Sequence, residues 1–385
     1  MTAELNNLPV RLLHGEGVLS RTGEIASTFG QRPLVVTDPG IAAAGHVDAV
    51  RALLQDAGLS VGVFDRVHEN PTERDVEACV EAARAHRADL LIGLGGGSSM
   101  DAAKGCNFLL TNGGCMSNYR GTEKATLPML PFMAIPTTAG TGSECQRYAL
   151  ISDPETHQKM ACGDTKTRAR VAILDPVLTV TQPPFVAACT GIDAIAHAVE
   201  SCVTNSATDA STALAREAFG LLQEHLPIVM REPVNIEARA AMQIGAALAG
   251  SAIELSMLGA AHSAANPLTA HFGVVHGQAV GILLPWIVEY NANDERAREG
   301  YRVLAEAAGL VGGEGDEGGA AGCITRRLRE LLAVTGLHKS ISAFGVSEAD
   351  VCALSDEAAA QWTVQFNPRP IGAAEFAEIY RRAMR

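Results

Sequence analysis

The sequence predicts two successive domains, an N-terminal α/β domain with a mainly parallel sheet and a C-terminal all-helical domain. In the first half, short β-like apolar segments alternate with stretches of helical periodicity, which is the pattern of repeated β-α-β units. After Pro183-Pro184 the chain becomes rich in Ala, Leu, Glu and Arg at helical spacing. Two consecutive prolines end an element, so we expect the domains to be residues 1–183 and 184–385.

The strands of the first domain are predicted from their Val, Ile and Leu content, which suits strands buried on both faces. In chain order they are Pro33–Thr37, Ser60–Phe64, Asp89–Leu94, Ala134-Ile135 and Val171–Leu174. Helical periodicity is found at Asp48–Ala57 and Arg74–Arg87, and again after the third strand to about Leu110. Helices between strands favour parallel pairing, because parallel neighbours need a long crossover.

Composition narrows the function. The 385 residues include 30 Lys and Arg against 43 Asp and Glu, a net charge of −13, which disfavours nucleic acid and anionic membranes as partners. A 47% apolar fraction indicates a folded chain. No apolar stretch has the length and flanks of a membrane span, and the start MTAELNNLPV lacks a signal pattern. Nine cysteines without a CxxC pair indicate reduced thiols, so we expect a cytoplasmic protein.

A glycine-rich stretch follows the third strand, and we call residues 95–104 (GGGSSMDAAK) the glycine segment. Glycines let a ligand approach the backbone closely, and the N–H groups at a helix start favour an anion such as a pyrophosphate. The pattern is neither GxGxxG nor a Walker A motif. The structural alternative is a tight strand-to-helix turn with a Ser cap.

A second polar loop follows the fourth strand, and we call residues 134–144 (AIPTTAGTGSE) the threonine segment. Hydroxyl and glycine residues at the carboxyl end of a parallel strand suit ligand binding, so the two segments together predict a dinucleotide site. Asp38 follows the first strand, where a carboxylate accepts from ribose hydroxyls and repels a 2′-phosphate. This favours NAD over NADP, although Asp38 could equally be a turn residue before Pro39.

Asp193 and His197 are four residues apart on an otherwise apolar helical stretch. That spacing places both on one helix face, close enough to share an ion. A lone Asp-x-x-x-His is more often a salt bridge, so this pair alone decides nothing.

A second histidine cluster contains His262, His271 and His276. On one straight helix, His262 and His276 would be about 21 Å apart, too far for one ion. Pro267 and Gly273 are predicted to break the helix, which allows a fold-back that joins them to the Asp193 pair. One carboxylate and three imidazoles suit Fe²⁺ or Zn²⁺ with a position left for substrate. His271 is either a proton relay or a helix-face residue.

Taken together, the glycine segment, PTTAGTGSE, GIDAIAHAVES and the His262-to-Gly277 stretch strongly resemble the iron-containing (group III metal-dependent) alcohol dehydrogenases. Glu69-Asn-Pro-Thr72, Asp175-Pro176 and Phe366-Asn-Pro-Arg369 extend the resemblance over nearly the whole chain. The resemblance implies a dehydroquinate synthase-like architecture, with a dinucleotide-binding α/β domain, a helical domain and an active site in the cleft between them.

The resemblance also implies the site residues. The implied metal ligands, for Fe²⁺ or Zn²⁺, are Asp193, His197, His262 and His276. The implied contacts to NAD are Asp38, Asn70, Gly96, Gly97, Ser98, Asp101, Thr137, Thr138, Ser143, Lys159 and Leu178. The implied reaction is hydride transfer between NAD(H) and a small or medium alcohol or aldehyde, in a homodimer or larger homo-oligomer.

The sequence departs from the family pattern at two places. Where many relatives have a second His that is often proposed to relay a proton, this chain has Asn266. An amide does not titrate near pH 7, so the relay is water, the ribose hydroxyl or His271. Cys145-Gln146 stands where Val-Thr is commoner, in a stretch that faces the nicotinamide in the family. The candidate substrate-pocket residues are Gln146, Tyr148, Leu150, Leu258, Phe272 and Trp362.

Several alternatives stay open at this point. Glycerol dehydrogenases, dehydroquinate synthases and maleylacetate reductases resemble this fold, and a hydroxyacid dehydrogenase is also compatible with it. The complete ligand set and the glycine segment favour the alcohol dehydrogenase. A protein that binds metal or nucleotide without catalysis is the remaining alternative.

Overall fold

The computed structural model describes residues 3–5, 8–153, 159–310 and 318–385. The chain divides into two compact units, residues 1–182 and residues 183–385. The first is an α/β unit and the second is helical, so the predicted fold class is confirmed.

The first unit contains ten strands and five α-helices among its described residues. The strands are β1 (Ala3–Leu5), β2 (Arg11–His14), β3 (Pro33–Val36), β4 (Gly62–Phe64), β5 (Leu90–Gly95), β6 (Gly121–Thr122), β7 (Phe132–Pro136), β8 (Tyr148–Ser152), β9 (Lys159–Gly163) and β10 (Val171–Leu174). The helices are α1 (Thr22–Ser27), α2 (Pro39–Ala43), α3 (His46–Asp56), α4 (Glu73–His86) and α5 (Gly97–Asn112).

Seven strands form the main sheet in the order β1-β2-β10-β7-β5-β3-β4, and only β1 pairs antiparallel. All five predicted strands belong to this sheet. Its central strands are buried throughout, as their continuous apolar runs require. The carboxyl ends of β5 and β7 are adjacent, with Gly95 opposite Pro136, which brings the glycine and threonine segments to one edge of the sheet.

A second sheet of three strands, in the order β6-β9-β8, was not predicted. It is a short antiparallel pair, β8 with β9, and β6 adds parallel to β9. Helix α5 packs against β8. The alternation of buried and exposed residues in β8 is a weak signal over five residues, which explains why the sequence did not reveal it.

The second unit contains nine α-helices among its described residues. They are α6 (Pro184–Val203), α7 (Asp209–Arg231), α8 (Ile236–Leu255), α9 (Ala260–Phe272), α10 (His276–Asn291), α11 (Glu295–Ala307), α12 (Gly319–Thr335), α13 (Val351–Ala359) and α14 (Ala373–Ala383). Side chains at the N-termini of α7, α8 and α11 accept backbone N–H groups and cap these helices.

Helix α6 is at the centre of this unit and packs against α7, α8 and α10. It is long and apolar enough to cross a membrane by length and composition, and the bent pair α8–α9 passes the same test jointly. However, 89% of the apolar window of α6 is buried inside the protein, as in the core helix of a folded domain.

The helix break predicted at Pro267 is wrong. Helix α9 continues through Pro267, which forgoes only its own N–H bond to the preceding turn. The break predicted at Gly273 is confirmed, because φ there is +63° and the left-handed conformation ends α9. This turn separates α9 from α10 and allows their histidines to approach each other.

Candidate metal centre and cofactor site

Helix α6 carries the first half of a buried polar cluster in the second unit. Asp193 and His197 are each 5% exposed, in a helix whose neighbouring residues are almost all buried. His197 Nε2 is 3.5 Å from Asp193 Oδ2. The predicted placement of this pair on one helix face is therefore what the structure shows.

Helices α9 and α10 bring His262 and His276 to the same point. Their Nε2 atoms are 3.5 and 3.9 Å from Asp193 Oδ1. The His262 ring lies between the other two, with centroids 4.9 Å from His197 and 5.4 Å from His276. One ligand atom from each of Asp193, His262 and His276 falls within 4.8 Å of the others, a spacing that can hold one metal ion.

Gly277 makes this approach possible. A Cβ atom at residue 277 would lie 2.1 Å from the carbonyl oxygen of Cys189, so any side chain there would push α10 away from α6. His276 is the residue immediately before it and the first of α10. The close contact between the two helices thus sets the position of the third imidazole.

The donor atoms fit a divalent metal. Asp193 Oδ1 and His262 Nε2 are buried, and neither has a hydrogen-bond partner in the part of the chain that the structure describes. Buried polar atoms are rarely left in that state, and an ion between them would satisfy both. Burial acts to raise the pKa of Asp193, but the imidazoles of His197, His262 and His276 outweigh it and hold that pKa well below its usual range.

Glu200, also on α6, was missed by the sequence analysis. Its Oε2 is 2.5 Å from His262 Nδ1, and its Oε1 accepts the backbone N–H of Ala261 at 2.7 Å. Burial lowers the pKa of His262, yet Glu200 and Asp193 raise it to about 9. A carboxylate on the far nitrogen orients a metal-binding imidazole. The spacing of Asp193, His197 and Glu200 on one face of a helix was the available signal.

His271 and Asn266 occupy different settings on α9. His271 Nε2 is 2.8 Å from Glu357 Oε2, and the two side chains are 50% and 46% exposed. This exposed contact matches the helix-face alternative, and the relay role of His271 stays a prediction. Asn266 donates to Gln361 Oε1 at 3.0 Å, so the position held by His in many relatives carries a pair of neutral amides here.

In the first unit, the glycine segment runs from the end of β5 into α5. Gly95 has φ +142°, and its carbonyl accepts the backbone N–H of Thr137 at 3.0 Å. A Cβ at Gly97 would lie 2.9 Å from Thr141, and one at Gly96 would lie 3.5 Å from Thr138. The two segments are therefore in direct contact, as the dinucleotide-site prediction requires.

Asp38 and Asn70 lie beside the same segment. Asp38 caps α2 by accepting the N–H groups of Gly40 and Ile41, and its other oxygen accepts the Ser99 hydroxyl at 3.2 Å. Asp38 is therefore a turn residue, as the structural alternative had it, and it also lies close to the glycine segment. The N–H of Asn70, which has φ +52°, bonds Ser98 Oγ at 3.3 Å.

The remaining predicted cofactor contacts are more deeply buried. Thr137 Oγ1 is buried and lacks a hydrogen-bond partner among the described residues, which fits a ligand hydroxyl or phosphate. Asp101 accepts the Ser143 hydroxyl at 2.8 Å. Burial raises the pKa of Asp101, although Lys104, Ser143 and Lys159 oppose the shift. Leu178 is a core residue at 4% exposure.

The six candidate pocket residues divide equally between the units. In the first, Gln146 donates to Thr141 O at 2.9 Å, and Tyr148 and Leu150 belong to β8. In the second, Leu258 precedes α9 and Phe272 is its last residue, and both are half-buried. Trp362 is 37% exposed and packs edge-on against Phe366. Their role in substrate binding stays a prediction.

The parallel-sheet unit has a glycine turn suited to phosphate, and the helical unit has a carboxylate–imidazole cluster suited to a metal ion, and both features are expected of a metal-dependent dehydrogenase. The family model for iron-containing alcohol dehydrogenase matches residues 9–176, and the model for the C-terminal region of that family matches residues 187–384. The chain belongs to the iron-containing alcohol dehydrogenase family and is an alcohol dehydrogenase.

Individual relatives are similar in sequence to this chain over most or all of their length. Alcohol dehydrogenase 4 of Schizosaccharomyces pombe is 33% identical over 98% of this chain and 88% of its own. The 1,3-propanediol dehydrogenase of Citrobacter freundii is 33% identical over 96% of each chain. A crystal structure of a 1,3-propanediol oxidoreductase is similar to this one with a TM-score of 0.90, at 31% identity and 100% coverage of both chains.

Proposed function

We propose that this dehydrogenase interconverts a small or medium alcohol and its aldehyde or ketone, using NAD(H) and one divalent metal, Fe²⁺ or Zn²⁺. The reaction is alcohol + NAD⁺ ⇌ carbonyl + NADH + H⁺. The observation that carries the proposal is the cluster of Asp193, His262 and His276, in which two buried ligand atoms, Asp193 Oδ1 and His262 Nε2, have no hydrogen-bond partner among the described residues.

Asp193, His197, His262 and His276 would hold the metal. A bound divalent ion acts as a Lewis acid toward the oxygen of the alcohol or carbonyl. The protein orients the ligands. Glu200 accepts from His262 Nδ1, which leaves Nε2 as the nitrogen available to the metal, and Asp193 faces that Nε2 on the other edge of the ring. Neutral imidazoles and one carboxylate suit Fe²⁺ and Zn²⁺ equally well.

The glycine and threonine segments would hold the cofactor. Backbone N–H groups at the start of α5 can bind a pyrophosphate, and Gly96 and Gly97 have no side chain to shield those N–H groups. Asp38 supports NAD rather than NADP, because its carboxylate lies 3.2 Å from Ser99 Oγ, beside the glycine segment, where a 2′-phosphate would be repelled.

The proton released in oxidation cannot be carried by residue 266, since an amide does not titrate near neutral pH. Its side chain is already bonded to Gln361. We propose that solvent water takes this proton. A relative named for 1,3-propanediol supports a small polar alcohol as substrate. A cytoplasmic homodimer or larger homo-oligomer completes the proposal.

The test is NADH oxidation, followed by absorbance, over a panel of aldehydes and ketones. The protein is measured after chelation and again after adding Fe²⁺ or Zn²⁺ separately. We expect turnover that depends on metal, and a strong preference for NADH over NADPH. Asp193→Asn serves as the matched control, because it keeps the side-chain volume and removes the ligand charge. Measurable NADH binding without turnover under any metal would overturn the proposal.

A further inference from the structure

Lys104 is the last residue of the glycine segment, and it does not point toward solvent. Its side chain is fully buried in α5. The Nζ atom donates to Ser143 O at 2.7 Å, Ser143 Oγ at 2.8 Å and Tyr148 O at 3.0 Å. An ammonium group has three N–H donors, so these three oxygens occupy all of them. The lysine is therefore not available as a phosphate ligand.

The three acceptors belong to the threonine segment and to the first residue of β8. Ser143 extends the connection, because its hydroxyl donates to Asp101 Oδ1 at 2.8 Å. Asp101 is one turn before Lys104 on α5, and its Oδ1 is 3.9 Å from Nζ. Helix α5 is thus joined to the chain from 143 to 148 by a continuous set of buried hydrogen bonds.

The glycine segment and the threonine segment are also in direct contact, at Gly97 and Thr141. The space between Gly97 and Thr141 is too small for even a methyl group, so a small shift of one segment would displace the other. Burying an ammonium group is costly even when it is hydrogen-bonded, and an apolar side chain would fill the same space at less cost. The presence of a buried lysine at residue 104 has a physical reason if its hydrogen bonds set the relative position of the two segments.

We propose that Lys104 is a positioning residue that holds the threonine segment against the glycine segment, so that both contact NAD(H) at once. The inference rests on the proposed function, since it assumes that NAD(H) is the ligand of the two segments. It assigns to Lys104 an indirect role, through Ser143 and Tyr148, and no contact with the cofactor.

The test compares Lys104→Met with Lys166→Met in the full chain. Lys166 is a matched control because its Nζ also bonds a backbone carbonyl, Ala125 O, and a carboxylate, Asp164 Oδ1, in the same unit. Binding of NADH and of ADP is measured by titration, together with metal content and amide hydrogen exchange. ADP is the probe for the glycine segment alone, whereas NADH requires both segments.

We expect Lys104→Met to weaken NADH binding by about 10- to 100-fold, as a displaced binding group does. ADP binding and metal content should stay close to wild type, and exchange should rise in residues 137–148. Lys104→Gln keeps one donor and should fall between Met and wild type, and it replaces the Met variant if that one does not fold. Lys166→Met should bind NADH normally.

Three results would overturn the inference. They are wild-type NADH affinity in both Lys104 variants, an equal loss for NADH and ADP, and an equal loss in Lys166→Met. An equal loss for both nucleotides would assign Lys104 to direct phosphate binding. If the wild-type protein itself binds ADP but not NADH, the proposed function fails instead, and the two failures are thereby distinguished.

Discussion

The contact between Glu200 and His262 allows a sharp prediction about metal affinity. Glu200 accepts from His262 Nδ1 at 2.5 Å, which places a proton on Nδ1 and leaves Nε2, 3.5 Å from Asp193 Oδ1, as the nitrogen that a metal would take. In Glu200→Gln the side-chain oxygen can still accept the Ala261 N–H, and the amide nitrogen then faces Nδ1 as a donor. His262 must move its proton to Nε2, where the metal would bind.

The expected loss follows from this tautomer change. Removing a carboxylate behind a metal-binding imidazole typically lowers metal affinity 10- to 100-fold. This corresponds to a loss of about 1.4 to 2.7 kcal/mol in the free energy of metal binding. Because the amide actively favours the wrong tautomer, we expect Glu200→Gln at the upper end and Glu200→Ala at the lower end. NADH binding should be unaffected.

The assay is competition for Zn²⁺ between the metal-free protein and a chelator of known affinity. Glu289→Gln is the control, since Glu289 is a carboxylate of the same unit with two partners, Arg329 and Arg382, outside the metal cluster. Wild-type metal affinity in Glu200→Gln, or an equal loss in Glu289→Gln, would refute the reasoning.

Three further predictions concern pH, packing and cofactor choice. Burial raises the pKa of Glu144 to about 7 against the opposing charge of Lys104, so folding favours its protonated form. The stabilisation is present below the unfolded pKa of about 4.5 and is lost as pH rises through about 7. Melting curves should show this loss in wild type and not in Glu144→Gln. In Gly277→Ala the new Cβ is forced against Cys189 O. We expect the free energy of unfolding, measured by denaturant titration, to fall by about 3 kcal/mol and bound metal to be lost. An unchanged unfolding midpoint would contradict the packing argument. Asp38→Ala should raise kcat/KM for NADP relative to NAD. It should also lower the free energy of unfolding by about 1 kcal/mol, because α2 loses its N-cap. An unchanged ratio of kcat/KM for the two cofactors would show that Asp38 does not select between them.

Much of the architecture was predictable because it is encoded locally. Strand β5 is a continuous apolar run, and the glycines after it permit a tight turn into α5, so both were evident from neighbouring residues. The same holds for Asp193 and His197, whose spacing of four places them together on any helix. The second sheet escaped because β8 and β9 are short and stabilised mainly by each other.

The candidate site was predicted less completely than the fold. Glu200 was overlooked because its significance depends on His262, a residue 62 positions later in the chain. Pro267 was read as a helix break, but packing of α9 against α10 and α13 outweighs one lost hydrogen bond. His271 contacts Glu357, which is 86 positions later in the chain, so this contact was not evident from neighbouring residues either.

By itself the sequence determined the class of each unit, the glycine segment and the identity of the four candidate metal ligands, because periodicity, turn chemistry and side-chain chemistry are local properties. Only the tertiary structure decided which atoms meet. The approach of His262 and His276 to Asp193 depends on the turn at Gly273 and on the contact between Gly277 and Cys189. The burial that leaves Asp193 Oδ1 and His262 Nε2 without a hydrogen-bond partner among the described residues is a property of packed helices, and a linear pattern does not contain it.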